Sequence, residues 1–250
     1  MRSPSDLPVN EPLALFGLAA GFLIAEWLVI RQLQHRAWRT AGRQAGLAPE
    51  GNGLFGAPDL VGTVDGRSVQ ARTITQKTGG GGESGSNKTT YTVLEAALRD
   101  PVEEGILIAP TGTDESIVAA IGGETPAGDG SAALETETVG EFQAVAGSGP
   151  AAREVLTATA REALRKPALL DVVQVGDASE TVLKAIPDGQ GGLSGMVTGV
   201  MKSGIEKKYP SDPGTVRTGT RGLLLEGEEL DRQVRAVVAV ADGTDAADTQ

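Results

Sequence analysis

Residues Leu13 to Ile30 read LALFGLAAGFLIAEWLVI, an apolar run of eighteen positions in which Glu26 is the single charge. As a helix this run reaches about 27 Å, close to the roughly 30 Å of a bilayer's hydrocarbon core. It therefore predicts one membrane-spanning helix. Pro12 can open it, because its missing N–H falls among the unpaired donors of a first turn. Trp27 lies near the far end, where an indole favours the interface. Glu26 lies close enough to that end to snorkel outward as an interfacial carboxylate. At Arg31 the pattern turns polar. Residues 31–47, RQLQHRAWRTAGRQAGL, contain no proline and continue the helix as a stalk that stops before Pro49 and Gly51, with Trp38 packing it on the rest of the chain.

Beyond residue 48 a period of two takes over. Asp65-Gly66 separates LVGTV from RSVQARTIT, the signature of a hairpin with a two-residue turn. Further strands are expected over Thr89–Leu98, Gly105–Ala109 and Leu134–Val145. The period then lengthens. Ala151–Arg165 is expected to be helical, with Ser148 as a candidate cap and Pro167 as a stop. Leu169–Val175 is a short apolar run of either type, and Thr181–Ile186 alternates as a strand. Leu193–Lys208 has helical spacing, and Gly219–Leu225 reads as a strand. In Glu228–Ala241, Leu230, Val234, Val237, Val238 and Ala241 fall on one helical face. The opposite face carries the i,i+4 pairs Glu228/Arg232 and Asp231/Arg235. Gly243–Gln250 reads as a disordered acidic tail.

These elements predict an α+β protein: one N-terminal transmembrane helix, then a mainly antiparallel sheet with helices packed on one face. The divisions are a tail over 1–12, the span over 13–30, the stalk over 31–47, a single α+β domain over 48–242, and the tail over 243–250.

Charge orients the span. Arg31, Arg36, Arg39 and Arg43 follow it, whereas Arg2 is the one basic residue before it. By the positive-inside rule the N-terminus lies outside and the domain in the cytoplasm. A cleaved signal peptide fits less well, because the first residues are not basic and no small-x-small site precedes Arg31. Gly17, Gly21 and Ala25 place three small residues on one face of the span. That is a candidate surface for homodimer packing, set against the reading of a plain anchor. Past residue 45 the chain carries 17 basic and 30 acidic residues. Such a domain repels nucleic acid, so the bilayer and a protein are the expected partners.

Composition narrows the chemistry. There is no cysteine, which removes disulfides and thiolate catalysis together. His35 is the single histidine, so neither a histidine triad nor a multi-histidine metal site can form within one chain. Gly80, Gly82 and Gly85 satisfy GxGxxG, but a strand follows them where phosphate binding needs a helix N-terminus. No catalytic residue, metal ligand or cofactor is expected. Asn87-Lys88-Thr89 is a glycosylation sequon in an expected exposed loop, usable only if the domain faces outward. Lys202, Lys207 and Lys208 are the one basic cluster of the acidic domain, suited to a helix C-terminus or to a membrane surface.

The order of span, basic Trp-bearing helix, GLFGAPDLVGTVDGRSVQART hairpin, VGDASETVLKAIPD and RGLLLEGEELDRQVRAVVAVAD resembles a group of uncharacterised single-span membrane proteins of halophilic archaea. More loosely it resembles bacterial membrane-anchored domains with a Leu-x-Gly-x-x-x-Gly-Arg hairpin. Over residues 13–242 the resemblance implies topology and fold class, and no activity. The functional expectation is a non-enzymatic, membrane-anchored interaction domain facing the cytoplasm. The alternatives are an externally displayed domain that binds solutes or envelope components, and a membrane-associated hydrolase.

Overall fold

The structure, a computed structural model, describes residues 10–51, 57–78, 87–102, 105–111, 135–146, 152–168, 172–178 and 212–247, with the side chains of the first helix described from Gly21 onward. The expected elements Thr181–Ile186 and Leu193–Lys208, the cap Ser148, the glycine run 79–85 and the lysine cluster lie outside these residues.

The first described element is α1, Asn10–Gln44, a single helix that joins the apolar run to the polar stalk without a break. Among the described residues, which for the side chains of α1 begin at Gly21 and so leave out the first half of the apolar run, no helix is long and apolar enough to cross a membrane. β1 (Ala48–Glu50), β2 (Asp59–Val64), β3 (Arg67–Thr78) and β4 (Asn87–Ala97) follow. The β2–β3 connection is the two-residue turn expected at Asp65-Gly66, with Val64 facing Arg67. Both turn residues have positive φ, +50° and +83°, as the tight hairpin requires. β4 starts two residues earlier than expected, so Asn87, Lys88 and Thr89 pair with Thr78, Lys77 and Gln76 in the ladder rather than lying in a loop.

β5 (Ile106–Pro110) is buried along most of its length. The single strand expected over Leu134–Val145 is two, β6 (Glu135–Val139) and β7 (Phe142–Ala146), because the chain reverses at Gly140-Glu141. The helix expected over Ala151–Arg165 is likewise two, α2 (Ala152–Val155) and α3 (Ala158–Leu164). Between them the Thr157 hydroxyl accepts the Ala160 N–H at 3.2 Å and so starts a new helix. Pro167 does follow the end of α3. β8 (Val173–Val175) resolves the ambiguous apolar run as a strand, β9 covers Thr215–Arg221, and the chain closes with α4, Gly227–Ala247.

The nine strands among the described residues form one antiparallel sheet in the order β1-β2-β3-β4-β9-β8-β5-β7-β6. The α+β class with a large antiparallel sheet is therefore as the pattern predicts. Alternate strand residues, among them Leu60, Val69, Ala71, Leu94, Ala96, Val216, Val173 and Ile108, join Leu230, Val234, Val237 and Ala241 of α4 in one buried cluster. Intervening residues of the same strands carry charge, with Glu95 accepting from Arg72 at 2.8 Å and from Arg217. α4 lies across β4 and β9, and α1, α2 and α3 each pack against it.

Where a disordered tail was expected after Gly243, α4 continues for another turn. Thr244 is fully buried and its hydroxyl donates to the Val240 carbonyl at 2.9 Å. Asp245 accepts from the buried guanidinium of Arg67. An acidic sequence at a chain end reads as disorder, but here its carboxylates meet a cation delivered by the β2–β3 hairpin.

Candidate functional site

α1 changes character along one face. Trp27, Ile30, Arg31, Gln34, His35 and Trp38 recur at spacings of three and four residues, so they stack on the same side of the helix. Trp38 anchors this face. It is fully buried, and its indole N–H donates to the Pro58 carbonyl at 2.8 Å. One turn further along, Gly42 packs directly on Leu60. The stalk is thereby clamped to β2, as the sequence led one to expect of Trp38.

Toward its N-terminal side α1 leaves the core, and a groove of about 280 Å³ opens between helix and sheet. Trp27, Ile30, Arg31, Gln34 and His35 form one wall. Thr73, Thr75 and Thr90, with Ala57 and Leu223, form the other. The strands supply these threonines by a simple progression. On β3 the core-facing positions run Val69, Ala71, Thr73, Thr75, and on β4 they run Ala96, Leu94, Thr92, Thr90. Methyl groups thus give way to hydroxyls as the strands leave the shelter of α4. Thr92 turns inward and donates to the Gly222 carbonyl at 2.8 Å. Thr75 and Thr90 stay exposed, their hydroxyls 3.4 Å apart.

The groove is lined by one permanent cation, Arg31, and by no anion. The Arg31 guanidinium carbon lies 5.0 Å from the centre of the Trp27 ring, a cation–π distance. Partial burial, followed by the nearby charges of Arg31 and Arg39, pulls the pKa of His35 below the ordinary histidine value of 6.5. None of the ten lining residues is a carboxylate.

The other residues singled out in the sequence are spread along α1. Gly17 lies within the helix, Ala25 is exposed, and a side chain at Gly21 would meet open space. Arg36, Arg39 and Arg43 are exposed, whereas Arg31 is half-buried at the groove. Asn87 opens β4. Of these residues the tertiary structure brings only Arg31 into a site. The threonine wall was not foreseen. Its signal was the Thr-rich alternation of both strands, which reads equally well as plain β propensity.

Two further polar features are accounted for by the fold. Buried Glu229 accepts the Ala168 N–H at 3.2 Å and the Gln233 amide at 3.0 Å, and Gln233 accepts the Thr220 hydroxyl at 3.1 Å. This network ties the start of α4 to β9. A second, larger groove of about 490 Å³ between α3 and α4 is lined by charges of both signs, Asp65, Glu162 and Asp242 with Lys166 and Arg235. Among the described residues no cluster of three metal-ligating side chains occurs.

These features define a class: an antiparallel α+β domain carried on a long N-terminal helix, with a cationic, hydroxyl-lined groove where the two meet. No family model and no curated protein matches the chain. Among solved structures, the crystal structure of the mycobacterial trehalose monomycolate transport factor A, TtfA, is similar over 84% of this chain and 93% of that chain, with 10% identity and a TM-score of 0.45. A likeness this loose carries no argument about function.

Proposed function

We propose that this chain is a membrane-anchored, non-enzymatic interaction protein, held by the run Leu13–Ile30 with its N-terminus outside and its α+β domain in the cytoplasm. One observation carries the anchor. Phe22, Leu23, Ile24, Trp27, Leu28, Val29 and Ile30 are each about half exposed or more, Phe22 reaching 70%. Beyond α1, the one exposed large hydrophobic among the described residues is Leu225, at 37%. A contiguous apolar surface of this kind needs a covering phase. The run to which it belongs has the length and composition of a span. Arg31, Arg36, Arg39 and Arg43 support the orientation.

Alkaline carbonate extraction of cells expressing the full chain is the test. The chain is expected in the membrane pellet, and a version lacking residues 1–30 in the supernatant. The domain is expected to resist protease in intact cells and to be cut after lysis. Full-length chain in the supernatant would overturn the anchor. Cleavage from outside, or a glycan on Asn87 in a glycosylating host, would overturn the orientation and favour an externally displayed binding domain.

A further inference from the structure

The groove between α1 and the β3–β4 edge has properties that its role in packing does not require. It begins at Trp27 and Ile30, beside the exposed apolar surface of α1, and runs past Arg31, Gln34 and His35. Its apolar end therefore faces the hydrocarbon side and its polar end the domain. One guanidinium, one imidazole, one amide and three hydroxyls converge on it without a carboxylate. In a chain of net charge -11 that selection stands out. The groove between α3 and α4, on the same molecule, is lined by acids and bases together.

Arg31 also lacks the carboxylate partner that most arginines of the sheet domain have, Arg161 and Arg221 excepted. Arg67, Arg72, Arg153, Arg165, Arg217, Arg232 and Arg235 each pair with a carboxylate. Among the described residues Arg31, Arg36, Arg39 and Arg43 make no ion pair. Arg31 instead lies against Trp27, which fixes its position at the mouth of the groove while leaving its N–H donors available. An anion placed there would meet a positive field and several hydrogen-bond donors together.

We propose that this groove binds the phosphate-bearing headgroup of an anionic lipid. The proposal rests on the anchored reading, which puts Ile30 and Arg31 at the level of the headgroups. Arg31 supplies the charge-assisted contact, and Gln34, Thr75 and Thr90 donate to phosphate or glycerol oxygens. Trp27 and Ile30 flank the upper part of the acyl chains. The lipid thereby fixes how the domain stands on the membrane.

The test uses the full chain in a neutral detergent, with retention of added phosphatidylglycerol and phosphatidylcholine counted by native mass spectrometry. Wild type is expected to retain phosphatidylglycerol in preference. Arg31→Gln is expected to lower that retention about fivefold, the effect of one basic residue at an anionic surface. Arg43→Gln makes the same charge change on an exposed turn outside the groove and is expected to leave retention near wild type. The double variant Thr75→Val with Thr90→Val removes hydroxyls without touching charge, and its retention is also expected to fall. Millimolar inorganic phosphate is expected not to displace the lipid.

Equal retention of the two lipids would overturn the proposal, as would equal losses in Arg31→Gln and Arg43→Gln. Displacement by inorganic phosphate would make the groove a site for a soluble anion and overturn the lipid assignment. Lipid retention is read in detergent, and anchoring is read by carbonate extraction. Failure of the headgroup site is thus distinguishable from failure of the anchor.

Discussion

Arg67 shows how much one side chain can hold. It begins β3 directly after the Asp65-Gly66 turn and is 5% exposed. Its Nε donates to Asp242 at 2.7 Å, one Nη to the Ala97 carbonyl at 2.8 Å, and the other Nη to Asp245. Burial alone would lower its pKa, but the hydrogen bonds and charges of Asp242 and Asp245 outweigh that and raise it above the usual arginine value. The guanidinium is therefore charged at every accessible pH. Asp245 is 7% exposed, and apart from Arg67 it meets the Arg99 backbone N–H at 3.2 Å and the exposed Arg99 guanidinium at 3.6 Å, so removing Arg67 takes away the buried part of its compensation. Arg67→Ala is expected to destabilise the fold by about 3–5 kcal/mol, as broken buried pairs do. Asp242→Asn, at a carboxylate 53% exposed, should cost no more than about 1 kcal/mol. Urea unfolding of the two variants checks this. A loss below about 1 kcal/mol for Arg67→Ala would show that the pair behaves as an ordinary surface bridge.

At the scale of elements, the helix and hairpin patterns were legible where local chemistry was strong. Asp65-Gly66 specifies its turn through φ values that an Asp and a Gly tolerate. α4 announced itself through an apolar face and two i,i+4 pairs, both present, with Asp231 and Arg235 at 3.0 Å and Glu228 and Arg232 at 4.0 Å. Its last turn was not legible, because a glycine followed by acids usually ends a helix. Packing overrides that tendency. A Cβ on Gly243 would lie 2.2 Å from the Val155 carbonyl oxygen, so α4 passes α2 at a distance only glycine allows. Gly243→Ala should therefore push the two helices apart and cost about 1–3 kcal/mol, the range for overpacked cores. Gly66→Ala has open space around it and should cost about 1 kcal/mol, from its positive φ alone. Thermal unfolding of both variants tests the order. If Gly66→Ala proved the more damaging, the close approach would not govern this contact.

Across the whole molecule, charge is arranged unevenly. The chain carries 33 acidic against 22 basic residues, and several of its cations belong to α1 rather than to the sheet domain. The acidic domain repels itself, and screening shortens that repulsion from about 10 Å at 0.1 M salt to about 3 Å at 1 M. Exposed pairs such as Arg153–Glu137 and Arg165–Glu141 lose little when screened. Buried Arg67 is shielded from salt. The melting temperature is therefore expected to rise between 0.1 M and 1 M sodium chloride. A fall would mean that attractive pairs outweigh the net repulsion.

What the sequence determined alone is what short-range physics can encode. The apolar run, the turn at Asp65-Gly66, the buried face of α4 and the antiparallel α+β class all follow from periodicity and from φ preferences that neighbours within a few residues impose. What only the tertiary structure decided depends on partners far away in the chain. It split Leu134–Val145 into a hairpin and broke the helix at Thr157. It also ordered α4 past Gly243 by bringing Arg67 to Asp245, 178 residues away in the sequence. The groove belongs to the same category. Arg31 and His35 are stalk residues by sequence, and Thr75 and Thr90 are strand residues. They become one surface only because Trp38 and Gly42 clamp α1 onto β2, at the level where threonines replace the wholly apolar side chains of the sheet.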